Sequence, residues 1–181
     1  MSRGWISSLV ALCAASLVAA CTRSVAARFD THYQAGLTAY HAGRNQEAIA
    51  EYREALQLKP DSAAAHNELG AVLYEVGERD AAIQEYQRAL RLNPDLAEAH
   101  NNLGVAYLSS GRVAAAVGEY REAVELQPEF HAARYNLCLG LELLGQLADA
   151  LQECRAVAQR APQLSGVASA VQRLEEKLAQ P

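Results

Sequence analysis

The stretch Ala97–Pro128, AEAHNNLGVAYLSSGRVAAAVGEYREAVELQP, decides the architecture because the chain repeats it. Thirty-four residues earlier stands Ala63–Pro94, AAAHNELGAVLYEVGERDAAIQEYQRALRLNP, with nearly the same letters. One more step back, Phe29–Pro60 keeps Gly36, Gly43, Ala48, Tyr52, Ala55 and Pro60 in phase, and a weaker copy follows downstream at His131–Pro162. A fixed period of this size marks a stack of identical supersecondary units, none of which can bury its apolar face without its neighbours.

Each unit reads as a helical hairpin. Leu103, Gly104 and Tyr107 fall on one face of a first helix, and the missing side chain at Gly104 lets a second helix come close. Gly111 ends that helix. In the second, Ala116, Tyr120 and Ala123 share a face, two small residues flanking one ring. Pro128 closes the unit, since proline neither continues a helix nor tolerates a helical residue before it.

The run Leu69, Gly70, Leu73, Gly77, Ala82, Tyr86, Ala89 and Pro94, met again in the copy that follows, resembles the tetratricopeptide repeat family. The resemblance implies an all-α, right-handed superhelix of four helical hairpins, at 29–62, 63–96, 97–130 and 131–164. A terminal capping helix follows within 165–181, where Val167, Val171, Leu174 and Leu178 form one apolar stripe. It further implies a platform for protein or peptide partners, with the first helices lining a concave face. The residues expected there are Tyr33, Leu37 and Tyr40, then Asn67, Ala71 and Tyr74, then Asn101, Val105 and Leu108, and last Tyr135 and Leu139, with Asn102 and Asn136 alongside. Members that clamp a C-terminal carboxylate use inward lysine and arginine. Here the corresponding stretches offer Glu68 and Glu98, so an acidic tail is not the expected ligand.

The beginning of the chain has another composition. After Arg3, residues 5–20 carry no charge, as in a secretory signal segment that precedes the folded protein. Leu17-Val18-Ala19-Ala20-Cys21 resembles the bacterial lipobox, which implies cleavage before Cys21 and lipidation of its thiol. The rival reading is an uncleaved anchor, since the run nears the shortest length that spans a bilayer. Residues 21–28 then serve as a short polar tether, and Thr22, in place of aspartate, points to the outer membrane facing the periplasm. A lipobox followed at once by such repeats resembles small lipoproteins of Flp/Tad and type IV pilus or secretion machinery. The alternatives are an adaptor for peptidoglycan enzymes and a helper in cytochrome maturation.

Other chemistries find little support. The net charge of −5 is dispersed, without the basic block of a nucleic-acid binder. His32, His66 and His100 recur at one phase, but equivalent points of stacked repeats lie at least a helix-packing distance of about 8–10 Å apart, too far to share a metal. The rings are expected to fill the space between the two helices of each repeat. No nucleophile–base set or phosphate-cradling loop is present, so neither catalysis nor a cofactor is expected.

The fourth unit breaks the pattern twice. Cys138 stands where Gly36, Gly70 and Gly104 stand, and Cys154 where Tyr52, Tyr86 and Tyr120 stand. In a hairpin turning near Gly145 the two positions lie opposite each other, and an exported protein permits disulfides. A Cys138–Cys154 bridge is therefore expected, against the counter-reading of two buried thiols acting as small apolar residues.

Overall fold

The computed structural model describes residues 24–180. The signal segment, Cys21 and the two residues after it lie outside the described residues. The described chain runs through α1 (24–41), α2 (Asn45–Leu58), α3 (Ala63–Glu75), α4 (Arg79–Leu92), α5 (Ala97–Ser109), α6 (Val113–Leu126), α7 (His131–Leu143), α8 (Leu147–Arg160) and α9 (Val167–Ala179). Each helix packs on the next, and α3, α5 and α7 also touch in sequence along one side, so four hairpins stack into an all-α solenoid closed by α9. No described helix is long and apolar enough to cross a membrane.

The hairpin turns share one mechanism. Gly43, Gly77, Gly111 and Gly145 all adopt φ between 70° and 87°, the left-handed region, whereas no described non-glycine residue does so. That conformation lets the amide of the following residue reach back to the last turn: Arg44 to Ala39, Glu78 to Leu73, Arg112 to Tyr107 and Gln146 to Leu141, at 2.9–3.0 Å. The carbonyls left over at the helix end are thereby satisfied. The second helices end two residues before Pro60, Pro94, Pro128 and Pro162, as the prolines require.

Small residues set the spacing inside each hairpin. Tyr52, Tyr86 and Tyr120 are buried, and each ring lies against the glycine of the first helix: a Cβ at Gly36, Gly70 or Gly104 would come within 2.5–2.7 Å of a ring carbon. Burial raises the pKa of all three phenols. In the fourth hairpin this contact is replaced by the Cys138–Cys154 disulfide, whose Cα atoms are 5.5 Å apart. Removing the ring and adding a thiol to the glycine site are compensating changes in volume.

Two boundaries differ from the sequence reading. Residues 24–28, assigned to the tether, are helical and continue into α1, because the run Val25-Ala26-Ala27-Arg28 favours helix and nothing interrupts it before Gly43. The capping helix buries Val167, Ala170 and Leu174, with Val171 half-buried. Leu178, expected on the same stripe, is 45% exposed, since none of the described helices covers its outer side.

Candidate concave binding face

The first helices stack with a constant offset, and the offset decides which side chains meet. Asn102 Nδ2 donates to Asn67 Oδ1 at 3.1 Å, and Asn136 Nδ2 donates to Asn101 Oδ1 at 2.9 Å, both pairs thirty-five residues apart. A second row follows the same offset nearer the turns. There Tyr40 Oη donates to Glu75 Oε1 at 2.7 Å, and Lys177 Nζ donates to Glu142 Oε1 at 2.7 Å. Arg173 completes the latter cluster with two further bonds to Glu142, so the carboxyl falls to about 2, chiefly through the Arg173 hydrogen bond. Tyr40 is pushed up to about 12, first by burial and then by Glu75.

These ladders give the expected amides a second role. Asn67 is only 4% exposed and is withdrawn from the face, whereas Asn101, Asn102 and Asn136 each commit one side-chain group to joining one repeat to the next and stay partly exposed. The physical reason is the stacking register, which brings the two asparagine positions of adjacent repeats within hydrogen-bond reach. Tyr135 is also partly withdrawn. It packs between the C-terminal core clusters, and its hydroxyl lies 2.6 Å from where a Gly166 Cβ would be, under the α8–α9 connection.

The remaining inner-face residues stay half-buried. Tyr33, Leu37, Tyr40 and Tyr74 lean on the N-terminal core cluster, Val105 and Leu108 on the C-terminal one, and Ala71 and Leu139 lie between buried and exposed. Tyr33 stacks on Phe29 at 5.8 Å between ring centroids, and its phenol is raised by burial and by Glu68 and Glu98. Helices α3 and α5 contain no lysine or arginine. The face can therefore offer rings and apolar surface with carboxylates beside them.

On the outer side the histidines do more than fill space. His32, His66 and His100 bond through Nδ1 to Glu51, Glu85 and Glu119 of the second helix in their own repeat. His66 and His100 also reach the carbonyls of Pro60 and Pro94 through Nε2. In the fourth repeat Arg134 takes over both contacts, to Glu153 and the Pro128 carbonyl. The ring thus ties both helices of its hairpin to the preceding turn. A sequence signal was available: the glutamates recur at the same period as the histidines, nineteen residues later.

Two family patterns match the chain: one described as TPR repeat over residues 36–77 and 72–111, the other as tetratricopeptide repeat over 97–130. No curated protein sequence matches significantly. Among solved structures, pilF of Pseudomonas aeruginosa is 27% identical, with a TM-score of 0.78 over 85% of this chain and 70% of its own. MamA is 27% identical, with a TM-score of 0.70 over 75% of this chain and 79% of its own. An O-GlcNAc transferase from Thermobaculum terrenum matches at 26% identity and a TM-score of 0.71, over 75% of this chain but only 26% of its own length. Family patterns and structural likenesses agree with the hairpin geometry: the chain belongs to the tetratricopeptide repeat family, whose members generally bind protein partners.

Proposed function

We propose that this chain is a lipid-anchored scaffold of the bacterial cell envelope. Cys21 holds it at the outer membrane with the repeats facing the periplasm, where it captures protein partners on its concave face during pilus or secretion-system assembly. The observation that carries the binding role is the inner face itself. Its asparagines join the repeats to one another, and beside them it keeps a half-buried surface of Tyr33, Leu37, Tyr74, Val105 and Leu108 that α9 leaves uncovered. Half-buried rings and aliphatic side chains on a rigid frame supply contact area at small entropic cost. The anchor is supported by the lipobox residues, and the assembly setting by the likeness to pilF.

The experiment places a photo-cross-linking amino acid at Val105 in the native cells, with Arg88 on the exposed side of α4 as control. A specific adduct from Val105 in the membrane fraction, absent from Arg88, is the expected result. Adducts from Arg88 alone would move binding to the convex side. Cys21→Ser should release the protein or leave it unprocessed, and mass spectrometry of a mature chain with an unmodified Cys21 would remove the anchor from the proposal.

A further inference from the structure

The first hairpin departs from the other three at its open end. By the thirty-four-residue period α3, α5 and α7 begin at positions equivalent to Phe29, whereas α1 is helical five residues earlier, from Ser24. Five residues of helix add about 7 Å. The end of α2 is level with Phe29, because Lys59, which follows the last residue of α2, holds its Nζ 5.4 Å from the centroid of the Phe29 ring. Residues 24–28 therefore stand clear of α2, and all of them are exposed.

Val25, Arg28 and Phe29 share one side of α1, the side from which His32 reaches Glu51 of α2. Two apolar side chains, Val25 at 36% exposure and the half-buried Phe29, are thus flanked by the cations of Arg28 and Lys59. Among the described residues neither cation forms an ion pair. Asp30 lies round the far side of α1, and Asp61 precedes the N-cap of α3. The sequence adds Arg23 and carries no acidic residue before Asp30, so this end is cationic in a chain whose net charge is −5.

Cys21 stands three residues before Ser24, a stretch that spans at most about 10 Å. A lipid on that cysteine holds the start of α1 within this distance of a head-group layer. Resting on the Cys21 anchor proposed above, we infer that the open end of the first hairpin docks on the bilayer, with Arg28 and Lys59 against anionic phospholipid head groups and Val25 and Phe29 at the edge of the apolar layer. Cations beside a small apolar surface suit such an interface, because their stems lie along apolar groups while their charged heads meet phosphate. The rest of the acidic chain gains nothing from an anionic surface, so the contact also sets orientation. The hairpin stands with its Gly43 turn outward, about 27 Å from the start of α1, since α1 covers residues 24–41.

The test uses the processed, lipidated chain on vesicles of phosphatidylethanolamine and phosphatidylglycerol. With Cys21 acylated and Cys138 bridged to Cys154, one introduced cysteine is the sole free thiol for a spin label. Labels at Ala26, at Asp61 and, beyond the turn, at Gln46, all exposed positions, report collisions with nickel held on a chelating lipid. Collisions at Ala26 and Asp61 should exceed those at Gln46 severalfold. The excess should fall about threefold or more with Arg28→Glu/Lys59→Glu, in high salt, and on vesicles of phosphatidylcholine alone. The salt and lipid arms need no charge variant, so they decide even where the reversed charges disturb folding. Equal collisions at the three labels, or an excess indifferent to salt and lipid charge, overturn the docking and leave the anchor standing. A chain that floats with the vesicles no better than Cys21→Ser overturns the anchor and the docking with it.

Discussion

Two glycines of the third repeat should respond to the same substitution with opposite sign. At Gly104 a Cβ would stand 2.5 and 2.7 Å from two carbons of the Tyr120 ring, which is fully buried and cannot swing out. Overpacking of that kind costs about 1–3 kcal/mol, against about 1 kcal/mol gained when alanine replaces glycine inside a helix. Gly104→Ala should therefore lose up to about 2 kcal/mol and lower Tm by up to about 8 °C for a chain of this size. At Gly118, inside α6, a Cβ would meet nothing within 4 Å, and the equivalent positions hold Ala50, Gln84 and Gln152. Gly118→Ala should gain about 0.5–1 kcal/mol through helix propensity alone. Urea and thermal melts followed by circular dichroism compare the two. A cycle with Tyr120→Leu tests the cause, because relief of the clash should appear as a coupling of about 1 kcal/mol or more. If Gly104→Ala stabilises like Gly118→Ala, or if the cycle is additive, the account of hairpin spacing is wrong.

The disulfide should contribute about 2–4 kcal/mol, so Cys138→Ser/Cys154→Ser should melt earlier, whereas Cys138→Gly/Cys154→Tyr, which rebuilds the contact of the other repeats, should recover much of the loss. Thiol titration of the unfolded, unreduced protein should find neither cysteine reactive. The Glu142 cluster predicts an acid dependence. A carboxyl held at about 2 when folded, against 4.5 ordinarily, adds stability that is fully present above the ordinary value and is lost as pH falls toward 2. With Arg173 and Lys177 nearly half exposed, solvent screening leaves about 1–2 kcal/mol of that. Glu142→Gln should therefore be less stable than wild type by about that amount at neutral pH, with α9 amides exchanging faster, and the two should converge near pH 2.

The thirty-four-residue period was enough to determine hairpins, stacking and turns, because each rests on a local rule. Glycine is needed where φ is positive, proline where a helix must stop, and small residues with one ring where two helices meet. The opposed cysteines of the fourth repeat were legible for the same reason, as a paired departure from a known pattern. What the period leaves open is how far one repeat is shifted against the next, since that follows from the packing of whole helices. The shift buried Asn67, made Asn101, Asn102 and Asn136 joints between repeats, drew Tyr135 under the α8–α9 connection, and gave His66 and His100 their proline carbonyls. Sequence determines the unit because its interactions lie within one turn or one hairpin; only the tertiary stack decides which polar side chains meet across repeats.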